Sequence, residues 1–208
     1  MIEAIDKFTY QERYQCWDGS IIVTSTNALF GEHEIELPAY MESTSTTMTE
    51  EEYQTVCYIK NNFTSIYYAI LQTLFAWQEK GFCFERYDRE THAFHPIEFT
   101  CAEDIHSYIG MPTVEIISGY VKEGYAFFAV YFSDCLLSIE HGLTALFQKN
   151  KCIDIDASDT RSLIETLEHF EEDCAKWKRD FWKVKDELGT RFFDERDLVR
   201  EKWLGSGR

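Results

Sequence analysis

Several things that would betray a chemistry are missing from this chain of 208 residues. There is no G-x-S-x-G around a nucleophile and no G-x-G-x-x-G or other glycine-rich loop to cradle a phosphate. No two of the seven cysteines form a C-x-x-C pair, and their number is odd. A disulfide framework and a cysteine zinc site are therefore not expected; reduced, mostly buried thiols in a cytoplasmic protein are. The N-terminus, Met-Ile-Glu-Ala-Ile-Asp-Lys, has neither a basic nor an apolar signal region. No apolar run approaches the roughly 18 residues of a membrane span. Basic residues are scarce over 1–158, where 9 stand against 24 acidic ones. Nucleic acid and anionic membrane are excluded as main partners, because both are polyanions held by Lys and Arg.

What is present is enough apolar material for a core, with 45% hydrophobic and 16% aromatic residues. The formal net charge of −17 lies almost wholly in the first 158 residues. The stretch 125–155 organises the rest. Tyr125-Ala-Phe-Phe-Ala-Val-Tyr-Phe132 suits a buried pleated surface, Glu140-His141-Gly142 suits a turn, and Thr144–Phe147 and Cys152–Ile155 suit two further strands. Together they predict the meander at the centre of an antiparallel sheet. Strands are also expected over 8–37, ending before Pro38, with short ones near 82–84 and 97–99 and another over 113–117. Thr49-Glu-Glu-Glu52 matches a capping box, predicting a helix to about Lys60. Asn61-Asn62 is read as its end, with a second helix from Thr64 to about Lys80 carrying Ile66, Ile70, Leu71 and Leu74 on its apolar face.

The end of the chain has a different pattern. Leu163, Leu167, Phe170, Cys174, Trp177, Phe181, Val184 and Leu188 step by 4 and 3 in alternation, a heptad seam between charged flanks. Such a narrow stripe packs on one partner surface. Either the chain's own C-terminal segment or a second copy supplies it, the latter giving a homodimer through residues 160–204. The expected architecture is α+β: an antiparallel meander sheet with helices on one face over 1–158, then a charged helical arm over 159–208.

Three constellations could carry chemistry. His92 and His95 are three apart, near Cys83 and Cys101, but without paired cysteines they read as surface-loop histidines rather than metal ligands. Asp154 and Asp156 alternate with isoleucines, so both carboxylates fall on one strand face; a strand with one wet face gives the same pattern. Glu140 beside His141 could orient an imidazole, yet no nucleophile accompanies them. A histidine bonded to backbone at a tight turn is the expectation there. No cofactor is expected.

In order along the chain come Tyr14-x-x-Trp17-x-Gly19, Gly31-Glu-His-Glu-Ile-Glu-Leu37, the acid-capped helix from Thr49 and the Ile70-Leu71 helix. Tyr108-Ile109-Gly110, the Phe-rich strand, Glu140-His141-Gly142-Leu143 and the 154–160 segment follow. This order resembles a bacterial domain-of-unknown-function family of small acidic α+β proteins over about residues 8–160. The resemblance implies a soluble α+β protein with no established activity and carries over no catalytic residue. In size and acidity it is similar to the immunity proteins that neutralise bacterial toxins. The leading expectation is thus a non-catalytic protein-binding module that takes a basic protein partner. An enzyme of unrecognised type using Glu140 and His141 or Asp154 and Asp156, and an oligomerisation role for the C-terminal helix, stand as alternatives.

Overall fold

Strand β7 (Tyr125–Phe132) is apolar on both faces, and this dictates a three-layer arrangement. The computed structural model describes residues 7–24, 30, 34–43, 45–157 and 159–170. Strands β1 (Thr9–Gln11), β2 (Cys16–Thr24) and β3 (Glu34–Glu42) come first, then helix α1 (Glu50–Glu79) and the hairpin β4 (Phe84–Asp88) and β5 (Ala93–Ile97). A 3-10 turn (Ala102–Ile105) and the short helix α2 (His106–Ile109) lead into β6 (Thr113–Lys122) and β7, then β8 (Leu143–Gln148), β9 (Lys151–Asp156) and helix α3 (Thr160–Phe170). Seven strands form one sheet in the order β1-β2-β3-β6-β7-β8-β9, and β4–β5 pair apart from it.

The class is α+β, as expected, and β7, β8 and β9 form the expected antiparallel meander. The sheet as a whole is not a meander. It is mixed, because β3 and β6 pair in parallel through Ala39 to Met41 and Val114 to Ile116. A parallel junction needs a long crossover, and α1 with the segment after it supplies one. Nor does β3 stop before Pro38: it runs to Glu42, and its pairing with β6 begins only at Ala39.

One 30-residue helix replaces the two expected ones. Its start is the predicted box: the Glu52 N–H donates to Thr49 Oγ1 at 3.3 Å, and the Thr49 N–H donates to Glu52 Oε2 at 2.7 Å. Asn61-Asn62 does not break it. Asparagine costs a helix at most about 0.7 kcal/mol. Burying Ile59, Phe63 and Ile66 on either side gains about 1.5–3 kcal/mol each. Asn62 also returns its Nδ2 to the Tyr58 carbonyl at 2.9 Å.

Helix α1 fills the inner face of the sheet with Val56, Ile59, Ile66, Tyr67, Ile70 and Leu71, against Leu37, Met41, Phe128, Val130 and Phe147. Phe128 and Phe147 stack face to face across β7 and β8, 5.3 Å between centroids. The helices do not share one face. On the outer side Phe127 and Ala129 of β7 join Ile117, Tyr120 and Leu146 in a second core, closed by Leu163, Ile164 and Leu167 of α3. The C-terminal arm expected from residue 159 is therefore integral to the domain over Thr160–Phe170. A strand with large apolar groups on both faces has to be covered on both, and α3 is the cover. The rest of that arm lies outside the described residues.

Replacing Leu167 by alanine should cost about 2–5 kcal/mol of unfolding free energy in urea, the range for emptying a buried leucine site. A loss below about 0.5 kcal/mol would instead mark α3 as a detachable arm.

Candidate functional site

The outer face of the sheet is only half covered among the described residues. Along β3 the side chains alternate without exception: Ile35, Leu37, Ala39 and Met41 are buried toward α1, while Glu34, Glu36, Pro38, Tyr40 and Glu42 are exposed on the other side. Their register partners on β2 are Thr24, Ile22, Ser20, Asp18 and Cys16. Side-chain alternation puts these ten on one surface. It carries four carboxylates, Asp18, Glu34, Glu36 and Glu42, around a small apolar centre of Ile22, Pro38 and Tyr40. A shallow concavity of about 480 Å³ lies here, lined by Lys7, Gly19, Ser20, Glu36 and Pro38. Lys7 Nζ stands 3.0 Å from Glu36 and the Ser20 hydroxyl donates to the same oxygen at 2.6 Å; the serine bond first and the lysine second hold that carboxyl below its ordinary range.

Where the open half meets α3, a polar seam closes the second core. Glu115 on β6 is partly buried and accepts from the hydroxyl of Thr160, the first residue of α3. It also bonds Tyr40, and Glu42 and Asp159 lie close enough to act on it through their charge. Burial is the main cause that raises the Glu115 carboxyl above its ordinary 4.5; its hydrogen bonds act the other way and the two neighbouring acids add to the rise. Burial and then the Glu115 charge raise the Tyr40 phenol too. Asp159 caps α3 by accepting the Ser162 N–H at 2.9 Å. At the far end of α3, Tyr120 donates to Glu168, so polar contacts with β6 tie both ends of the helix. Nothing in the sequence analysis singled out Glu115, although one carboxylate inside Val114-Glu-Ile-Ile117 was a legible signal.

The sequence-derived candidates are dispersed. Glu140 and His141 sit in the turn before β8 with side chains 80% and 69% exposed, and His141 Nε2 is 3.9 Å from Glu140 Oε2. The histidine is not bonded to backbone as expected. Gly142 makes the turn bond, donating to the Ser138 carbonyl at 2.8 Å. It does so at φ +70, and an added Cβ there would meet the Phe132 carbonyl oxygen at 2.6 Å. Asp154 and Asp156 do share the outer face, opposite Leu146 and Thr144. Asp154 is buried, and Asp156 accepts the Ala157 N–H at 2.7 Å. His92 lies at the β4–β5 turn at φ +52, its Nδ1 2.9 Å from the Tyr87 hydroxyl, and His95 is 3.9 Å from Asp88. Among the described residues no three His, Cys, Asp or Glu are grouped to hold a metal ion. Leu163 and Leu167 are buried against the chain's own sheet, and Phe170 is the last described residue of α3. Trp177, Phe181, Val184 and Leu188 fall outside the described residues.

A second concavity, about 520 Å³, separates the β4–β5 hairpin from α2 and the loop after β7. Arg86, Arg89, Asp134, Ser107 and Tyr108 line it, and Arg89 pairs with Asp134. Beneath its rim the Cys135 thiol is pushed up by burial, and on the inner face burial pushes Cys152 up to about 12. Thiols so placed are protonated near neutral pH and poor nucleophiles. Among the described residues no helix is long and apolar enough to cross a membrane. No protein-family model, no curated protein and no solved structure matches the chain.

The Glu115 seam makes a signed prediction. A carboxyl raised in the fold contributes stability that is fully present below its unfolded value of 4.5 and is lost as pH rises through the higher folded value. Unfolding free energies of the native chain and Glu115→Gln, from about pH 4 to about pH 8, should therefore diverge. The native chain should lose stability relative to the variant as pH rises; parallel curves would contradict the assignment.

Proposed function

We propose that this chain is a non-catalytic protein-binding module that captures a basic protein partner on the open, acidic half of its outer sheet face. The observation that carries the reading is the alternation along β3: one side of the strand is wholly buried, and the other offers Glu34, Glu36 and Glu42 to solvent with Asp18 beside them. Acidic groups around a small apolar centre suit a partner that presents Lys and Arg around an apolar contact. Capture of a basic toxin, as immunity proteins do it, is one form this function would take. A cytoplasmic setting fits free thiols, six of which lie among the described residues.

The catalytic alternative gains little from the geometry. Glu140 and His141 are solvated and outside both concavities, and the Asp154 and Asp156 face is closed by α3 rather than opened to a ligand.

The test uses the full chain as bait in extract from its source cells. Captured protein should be basic and released between about 0.05 and about 0.5 M salt, because screening shortens the reach of exposed charges. The D18K/E34K variant should lose it, while reversal of the remote exposed acids Glu90 and Glu103 should not matter. Capture indifferent to salt and to D18K/E34K overturns the reading.

A further inference from the structure

The acidic chain contains one stretch of opposite character. Residues 176–185, Lys-Trp-Lys-Arg-Asp-Phe-Trp-Lys-Val-Lys, hold five cations against one acid, together with two tryptophans and a phenylalanine. It is the most basic ten-residue stretch of the sequence. We infer that this segment docks in cis on the open acidic half of the outer face, beside α3, so that the module carries its own occupant for the surface.

Charge and composition match on both sides. The face presents Asp18, Glu34, Glu36 and Glu42, with Ile22, Pro38 and Tyr40 between them. The segment offers Lys176, Lys178, Arg179, Lys183 and Lys185 with Trp177, Phe181 and Trp182 between them. Aromatic and cationic groups in alternation suit a surface of carboxylates around apolar patches.

The chain path allows it. Helix α3 begins at Glu115, near the start of β6, and its Glu168 reaches Tyr120, near the strand's other end. Because β3 and β6 are parallel with Tyr40 beside Glu115, Glu168 of α3 lies past the Glu42 end of β3. The five residues 171–175 span up to about 17 Å. A neighbouring helix needs a sideways step of about 10 Å. That reach is long enough to bring residues 176–185 over β3 between Glu42 and Glu34. That stretch of β3 is about 26 Å long at about 3.3 Å per residue. Ten residues cover about 15 Å as a helix and about 33 Å extended, so either conformation reaches several of the four acids.

The inference stands whether or not an external partner exists. Only its consequence, that a basic partner must displace the segment, rests on the binding reading.

The experiment uses the full chain in equal parts unlabelled and uniformly 15N-labelled, treated at low salt with a zero-length carbodiimide that joins lysine amines to carboxylates. Peptides cross-linking Lys176–Lys185 to Asp18, Glu34, Glu36 or Glu42 should dominate within single-isotope chains. Their yield should fall roughly tenfold or more in 1 M salt, where the screening length is about 3 Å. In an independent measurement, D18K/E34K should raise tryptic cleavage within 176–185 by roughly tenfold, with unchanged far-ultraviolet circular dichroism. Reversal of Glu90 and Glu103 should leave cleavage unchanged. Mixed-isotope cross-links would replace the cis occupant by a second copy. Cross-links scattered over other acids, or cleavage indifferent to D18K/E34K, would also overturn the inference. Failure of partner capture with these cross-links intact removes the external partner alone.

Discussion

Everything in this fold follows from the need to cover β7 on both sides. Phe128, Val130 and Phe132 point to α1, and Phe127 and Ala129 point to α3. A strand with two apolar faces is unstable in any two-layer arrangement, since one face would stay in water. Helix α1, about 45 Å long, covers the inner face from β2 to β9. The described part of helix α3, Thr160–Phe170, rests on β8 and β9, above the second core. Among the described residues the β2–β3 half of the outer face is left without a helix, and the amino acids there agree with it. Where α3 lies, the outer side chains are Ile117, Phe127, Ala129 and Leu146; where it does not, they are Glu34, Glu36, Tyr40 and Glu42.

The boundary between the two halves is where polar chemistry concentrates. Glu115 is the single acid on the stretch of β6 beneath α3. It bonds Thr160 and Tyr40 rather than water, and burial raises it for that reason. In the structure it closes the edge of a core. The open half beyond it differs in kind: Glu34, Glu36 and Glu42 are exposed, and Glu36 bonds Lys7 and Ser20. A set of exposed like charges disfavours the chain alone and is relieved by whatever brings the opposite sign.

Much of this was legible in the sequence. The aromatic run 125–132 and the short runs after it gave β7 to β9 through strand chemistry alone, and Thr49 with Glu52 gave the start of α1 through a local reciprocal bond. What could not be read was long-range. The continuity of α1 through Asn61-Asn62 depends on burial against strands far away in sequence, which outweighs a weak local preference. The parallel β3–β6 junction joins residues some 75 apart, with no local signature. The heptad spacing of Leu163 and Leu167 was visible, but their partner was the second face of the chain's own sheet, and the double-sided apolarity of β7 was the clue to it. The acidic face was half legible: the alternation Glu34-Ile-Glu-Leu37 announced one wet side, but nothing local told that no described element would cover it. The candidate residues chosen for their chemistry, Glu140 with His141 and His92 with His95, turned out to be exposed turn and hairpin groups, because proximity in sequence does not by itself make a cleft.

The central claim is that the β2–β3 half of the outer face is held in readiness for, and engaged by, positive charge. Carboxyl labelling of the full chain, read residue by residue by mass spectrometry at about 0.05 M and about 1 M salt, addresses it directly. The account predicts that Asp18, Glu34 and Glu42 are labelled slowly at low salt and several-fold faster at high salt, while the remote exposed acids Glu90, Glu103 and Glu140 keep nearly constant rates. Equal salt responses in the two sets would contradict it.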